Sequence, residues 1–147
     1  MSVAAAEKKA PWHFWAVGVV GLFWNGFGAY DYFMTNTQGD AYMTAAGMTA
    51  EQIAHLHAMP WWMTGVWAVG VWGGVLGAVL LLLRNKLAVP VFIASLVAFI
   101  GSVIYGVLVN PAPHSGSGMM AMHAVIFAGC VFFVWYAMRA KKQGLLR

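Results

Sequence analysis

The chain has 147 residues, of which 62% are hydrophobic and 8% are charged, and its mean hydropathy is +0.74. A water-soluble domain uses about 25% charged residues, so this composition excludes a soluble globular protein and indicates an integral membrane protein. The formal net charge of +4 is accounted for by basic residues on one side of a membrane, so no nucleic-acid partner is expected.

The apolar residues are gathered into four long runs, which we predict to be membrane spans at 12–33, 61–83, 87–109 and 118–138. Each run has the roughly 20 residues that a helix needs to cross the hydrocarbon core. None has the alternating pattern of a barrel strand. The sequence therefore predicts an all-α fold, in which residues 1–147 form a single transmembrane domain built as an antiparallel four-helix bundle.

Small residues recur at three- and four-residue spacing in the first predicted span, at Gly18, Gly21 and Gly28, with Asn25 among them. Residues at this spacing share one face of a helix, and small residues there let another helix approach closely. Asn25 is expected to hydrogen-bond a neighbouring helix. Asp31 lies about 28 Å along the helix from its start, near the outer interface. It is a candidate functional acid, with a solvated or locally paired carboxylate as the alternative.

A short helix outside the membrane is predicted in the first outer loop, residues 34–60. Thr49 and Gln52 have the spacing of a capping box, and Pro60 discourages the helix from continuing. On such a helix His55 and His57 point about 200° apart, so they cannot share one metal ion.

His55 and Met59 share a helix face, and Met119 and His123 repeat that spacing at the start of the fourth span. If the two elements met outside the membrane, two imidazoles and two thioethers would form a soft ligand set suited to Cu(I). No spacing here matches a strong metal signature, and thioethers are common packing groups, so packing is the alternative interpretation.

Further small residues mark the packing faces of the second and third spans: Gly70, Gly73, Gly74, Gly77, Ser95 and Ser102. In the second span the glycines form two overlapping pairs four residues apart, a spacing that lets helix backbones approach closely. These faces suit a compact bundle, and they would equally suit a dimer or a larger partner.

All the basic residues fall on one side of the four predicted spans: Lys8, Lys9, Arg84, Lys86, Arg139, Lys141, Lys142 and Arg147. The positive-inside rule makes that side cytoplasmic. Both termini are therefore predicted in the cytoplasm, with the loops at 34–60 and 110–117 facing outward. His13, among Trp12, Phe14 and Trp15, is interpreted as an interfacial residue on the cytoplasmic side.

Catalytic patterns are weak in this chain. It has four carboxylates, and no Ser/His/Asp arrangement, glycine-rich phosphate loop or close pair of acids is recognisable. A non-catalytic protein is expected. Bis-histidine haem needs two histidines on facing helices, and only His123 lies well inside a span, so haem is weaker than Cu(I) and no cofactor is expected.

The runs PWHFWAVGVVGLFWNGFGAYDYFMTNT, MTAEQ and WAVGVWGGVLGAVLLLLRNKLAVPVF resemble a group of small four-span proteobacterial inner-membrane proteins, often described as sugar transporters. The resemblance covers nearly the whole chain. It implies a multi-pass protein of the bacterial inner membrane with a transport-related function, and it carries no binding residue with it. The segment AHLHAM departs from the aromatic residues expected there, which weakens a metal role for His55 and His57.

Three hypotheses follow. The chain is a transport-related protein, as the resemblance implies, acting as a homo-oligomer because one copy offers few polar side chains to a solute. Alternatively, it is an accessory or assembly subunit of a larger membrane complex, docked through its glycine faces. Thirdly, it binds Cu(I) on its outer face. All three hypotheses place the chain in a lipid bilayer.

Overall fold

The computed structural model describes residues 9–109 and 117–146, with the backbone alone for 117–120. Within these ranges the elements are α1 (Trp12–Gln38), α2 (Asp40–Ala45), α3 (Ala50–His57), α4 (Trp61–Leu82), α5 (Ala88–Ile104), which continues as a π-helical turn (Tyr105–Val109), and α6 (Ser117–Lys142). Every one is a helix, which confirms the all-helical fold.

In the described part of the chain, three helical segments are long and apolar enough to cross a membrane: Trp61–Leu82, Ala88–Val109 and Ala121–Lys142. They coincide with the second, third and fourth predicted spans. Helix α1 is 27 residues long but is not among the three, so the fourth crossing stays a prediction. Most of the predicted second outer loop, residues 110–116, lies outside the described residues.

Helix α1 continues beyond Phe33, where its apolar run ends, as far as Gln38. Polar side chains in this last stretch bond back to the helix: Asn36 Nδ2 donates to Tyr32 O at 2.8 Å and Thr37 Oγ1 donates to Phe33 O at 2.7 Å. Hydropathy marks the edge of an apolar run, whereas helical hydrogen bonding can continue past it, so the helix is longer than the predicted span at 12–33.

The predicted short helix is present as α3, and its capping box is confirmed. The Gln52 N–H donates to Thr49 Oγ1 at 3.2 Å, and the Thr49 N–H donates to Gln52 Oε1 at 2.9 Å. A turn with Gly47 at φ +92° separates α3 from α2, and this backbone angle favours glycine because it has no Cβ.

The four long helices α1, α4, α5 and α6 contact one another through their side chains. Five contacts join them: Gly18 and Gly28 of α1 face Leu82 and Val71 of α4, Gly77 of α4 faces Phe92 of α5, Phe92 stacks on Phe133 of α6 with ring centroids 5.6 Å apart, and Phe133 reaches Gly21 of α1. Helices α1, α4, α5 and α6 therefore surround a common interior.

The most deeply buried side chains are concentrated at one end of this bundle. Phe14, Leu81 and Leu145 are fully buried there, in one cluster with Phe92 and Tyr136. We call residues 9–14, 81–89 and 133–146 the basic end, because the described Lys and Arg residues all lie in it.

The basic end is closed by two left-handed turns. Arg84 has φ 57°, and the Asn85 N–H that follows donates to Leu80 O at 2.8 Å. Gly144 has φ 76°, and the Leu145 N–H donates to Ala140 O at 2.9 Å. This six-residue hydrogen bond past a left-handed residue is the Schellman ending of a helix.

A side chain joins these two turns. Arg84 Nε donates to Leu145 O at 2.9 Å, across the bundle from the α4–α5 link to the segment after α6. The buried Leu145 side chain is thereby held in the core, so the segment that follows α6 is part of the packed structure.

Candidate functional site

The predicted glycine faces are filled by helices of the same chain. A Cβ atom at each glycine would meet a neighbouring side chain: Leu82 at Gly18, Phe133 at Gly21, Val71 at Gly28, Ala98 at Gly70, Ser95 at Gly73, Asn25 at Gly74 and Phe92 at Gly77. In the described part of the chain these glycines therefore pack against side chains of other helices of the same chain, and docking of a partner through them stays a prediction.

Asn25 bonds within its own helix rather than across to another. Its Nδ2 donates to Gly21 O at 2.8 Å, while its Oδ1 is directed at Gly74 of α4. Because glycine has no side-chain donor, the amide takes the carbonyl one turn back, as polar side chains in helices commonly do. The expected interhelical hydrogen bond is thus replaced by close packing of the amide against the α4 backbone.

The hydroxyls of the two predicted serines also donate hydrogen bonds to backbone carbonyls. Ser95 is buried, and its Oγ donates across the α4–α5 contact to Gly70 O at 2.5 Å. Ser102 Oγ donates to Phe99 O at 2.8 Å on its own helix. Asn25, Ser95 and Ser102 could have lined a solute pathway. Their side chains instead donate hydrogen bonds to backbone carbonyls of the same chain.

Asp31 has a local partner on the next helix. Tyr42 OH donates to Asp31 Oδ1 at 2.8 Å, which ties α2 to the end of α1. This hydrogen bond to the carboxylate is the main reason that the pKa of Tyr42 is raised above its ordinary value, so the phenol keeps its proton as a donor. Of the two interpretations of Asp31, the geometry favours the locally paired carboxylate.

The histidines of the copper hypothesis have separate surroundings. His57, which the sequence already set apart from His55, lies 2.6 Å from Asp40 Oδ1 through its Nε2, in an exposed pair between α3 and α2. His123 contacts the ring of Phe99 on α5. His55 and Met59 are half-buried near the end of α3.

The side chain of Met119 lies outside the described residues. Within the described part of the chain, no group of three or more His, Cys, Asp or Glu side chains could hold a metal ion. Cu(I) binding by His55, Met59, Met119 and His123 stays a prediction.

A cluster that sequence analysis missed lies at the basic end, between α1 and α6. His13 Nδ1 and Tyr136 Oη are 2.8 Å apart, and the Arg139 guanidinium lies 5.4 Å from the ring centre of Trp135. His13 and Tyr136 are 123 residues apart in sequence, so no local pattern could join them. The signal that was available is the recurrence of aromatic residues and Arg139 on one face of α6.

An apolar groove, the α4–α5 groove, runs along the outside of these two helices. It is lined by Trp62, Gly65, Val66, Val69, Ala94, Val97 and Ala98. A Cβ atom at Gly65 would meet nothing within 4 Å, in contrast to the glycines of the interior. The groove is therefore a place where small side chains leave room on the outer surface.

No protein-family model, curated protein or solved structure matches this chain. Its function is argued from the geometry described above.

Proposed function

We propose that the chain is a non-catalytic accessory subunit of a larger membrane complex, held in a bacterial inner membrane by four antiparallel spans with its basic end in the cytoplasm. The observation that carries the proposal is the α4–α5 groove. It is apolar, contains the small residues Gly65, Ala94 and Ala98, and is open on the outside of the bundle. Small residues at a membrane-facing surface let a helix of another protein approach closely.

The environment of α1 supports its role as the fourth span. The helix packs beside α4 from Gly18 to Gly28, and α4 is itself long and apolar enough to cross a membrane. On its outward side Phe23 is 76% and Phe27 is 74% exposed. Large exposed apolar side chains of this kind are suited to lipid contact.

The interior of the bundle favours a subunit over a carrier. A solute carrier needs a polar cavity near the midplane, whereas the described donors of Asn25, Ser95 and Ser102 are used on backbone carbonyls. A transport-related function, implied by the resemblance to sugar-transporter-like proteins, would then require an oligomer in which several copies line the pathway.

The proposal is tested by purifying the tagged protein from its native membrane in mild detergent and quantifying by mass spectrometry what accompanies it. We expect a stoichiometric partner with the wild type. Gly65→Leu fills the groove and should lower the recovery of that partner by about tenfold or more, the effect of losing about 1.4 kcal/mol of binding free energy.

Gly101→Leu is the matched control, because a Cβ atom at Gly101 also meets nothing within 4 Å and this residue lies outside the groove. It should retain the partner. Equal losses from both variants would refute the groove as the docking site. Purification as a homo-oligomer alone, with sugar flux in liposomes, would overturn the subunit proposal in favour of transport.

A further inference from the structure

We infer that the basic end binds the headgroup of an anionic phospholipid at the headgroup site, which we define as His13, Trp135, Tyr136 and Arg139 between the start of α1 and the end of α6. The inference does not depend on the docking partner. It requires four properties of the site: donors held in place, net positive charge, few competing carboxylates, and an apolar surface for the acyl chains.

The donors are held in place by contacts across and along the helices. His13 Nδ1 and Tyr136 Oη are 2.8 Å apart, which fixes the imidazole of α1 against α6. Tyr136 is 8% exposed, so the bond is set by the packed part of the bundle. Because Nδ1 is engaged by the phenol, Nε2 is the nitrogen left to serve a second partner.

Arg139 is positioned by a cation–π contact. Its guanidinium carbon lies 5.4 Å from the ring centre of Trp135, one helical turn earlier. A guanidinium held over an aromatic face keeps its N–H groups at the edge of the plane, where they can bond two phosphate oxygens at once. Arginine in this arrangement loses less conformational entropy on binding phosphate than a free side chain does.

The charge around the site is positive. Lys142 follows Arg139 by three residues, which places it on the same face of α6, and both are exposed. The described acids lie elsewhere: Asp31 pairs with Tyr42 at the far end of α1, Asp40 pairs with His57, and Glu51 is in α3. In the described part of the chain these carboxylates are therefore placed away from the headgroup site.

An apolar surface adjoins the site and decides between a lipid and free phosphate. Trp12 is 81% exposed, and its ring meets that of His13 edge-on. Phe132 is exposed and packs against Trp135 and Tyr136. Exposed tryptophans are enriched at the level of lipid headgroups, so a ligand with a phosphate and acyl chains satisfies both halves of the site.

The test measures the binding of phosphatidylglycerol and of phosphatidylcholine to the full-length protein in detergent, by native mass spectrometry. We expect phosphatidylglycerol to bind at least tenfold more tightly than phosphatidylcholine. Arg139→Gln should weaken phosphatidylglycerol binding by about tenfold, because a charge-assisted contact to phosphate is lost. Tyr136→Phe, which removes the hydroxyl that positions His13, should give a smaller loss.

Lys141→Gln is the matched control, since it removes the same charge two residues from Arg139 on the opposite side of α6. It should bind phosphatidylglycerol like the wild type. Equal losses from Arg139→Gln and Lys141→Gln would overturn the site in favour of unspecific attraction to charge. Full displacement by glycerol phosphate at the same concentration would overturn the lipid as the ligand.

Arg139→Lys keeps the proposal testable if Arg139→Gln does not fold. It retains the charge but not the planar guanidinium with its paired donors, so we expect an intermediate affinity for phosphatidylglycerol. An affinity equal to that of the wild type would show that the oriented guanidinium has no role. Circular dichroism without lipid checks that each variant has the wild-type helix content.

Discussion

At the scale of single residues, Gly74 is the most tightly packed of the described glycines, and its neighbour is Asn25. The amide oxygen of Asn25 occupies the space where any other residue at position 74 would place its Cβ. Helix backbones in membranes associate largely through such packing, because lipid supplies no hydrophobic driving force between them. The contact therefore sets how closely α1 and α4 can approach each other.

This packing predicts opposite outcomes for two Gly→Ala substitutions in long helices. Gly74→Ala should lower the free energy of unfolding by about 1–3 kcal/mol, the usual cost of overpacking. Gly26→Ala should leave it unchanged or raise it, because nothing lies within 4 Å of a Cβ there and alanine is the better helix former. The measurement is loss of helical circular dichroism with added SDS.

The double variant Asn25→Ala/Gly74→Ala gives the internal check for this prediction. Removing the amide makes room for the new methyl group, so most of the loss caused by Gly74→Ala should be recovered, as a positive coupling in a double-mutant cycle. Additive losses in that cycle would contradict a direct contact between the Asn25 side chain and position 74.

Residue contacts were the least predictable level of this structure. The small residues at 70–77 indicated close helix packing, but the sequence did not say whether the partner was α1, α5 or another protein. The pair His13 and Tyr136 was missed, because side chains 123 positions apart leave no periodic signal. Ser95 was recognised as a packing residue, while its acceptor, Gly70 O, is a backbone group that sequence patterns do not show.

At the scale of elements, the sequence predicted the structure well where residues close together in the chain determine it. Thr49 and Gln52 form the capping box that their spacing predicts. The apolar run from Trp61 ends at Leu83, beside the end of α4. Helix α2 was not predicted, because a six-residue helix has no periodic apolar pattern and depends on Asp31 and the glycine before it.

The capping box makes a prediction about α3. Thr49→Ala removes the acceptor of the Gln52 N–H, which should cost the helix about 1 kcal/mol. Hydrogen exchange of the amides at the start of α3 should become about fivefold faster, as that free energy implies. Exchange in α4 should not change.

Thr44→Ala is the control for this experiment, because Thr44 is exposed near the end of α2 and only its carbonyl is used in capping that helix. It should leave exchange in α3 as it is in the wild type. Equal protection of α3 in the Thr49→Ala variant would show that packing of Ile53, rather than the cap, holds the helix.

At the scale of the whole molecule, burial is unevenly distributed along the bundle. The large buried cluster includes Phe14, Leu81 and Leu145, all at the basic end, whereas at the other end of α5 Val107, Leu108 and Val109 are exposed. Hydropathy alone could not predict this asymmetry, because every span is apolar along its length and lipid can cover either end equally well.

The turn at Gly47 has a consequence for how the chain can be assembled. The α1–α4 contact is built from side chains such as Asn25 and Leu82, and the short helices are joined to it by Tyr42 with Asp31 and by His57 with Asp40. Helices that insert separately into a bilayer can associate afterwards. A break between Ala46 and Gly47 would leave these side-chain contacts between the two pieces, while it removes the backbone hydrogen bonds from Gly47 to Thr44 and from Met48 to Met43.

Two genes encoding residues 1–46 and 47–147 should therefore yield, when co-expressed, two fragments that purify together through a tag on one of them. Gly74→Leu in the larger fragment should abolish this complementation, since the new side chain would meet Asn25, while Gly101→Leu should preserve it. Fragments that never assemble, although both reach the membrane, would show that covalent continuity is needed. Assembly would mean that the protein can be delivered to a membrane in pieces, with the first helix supplied in trans.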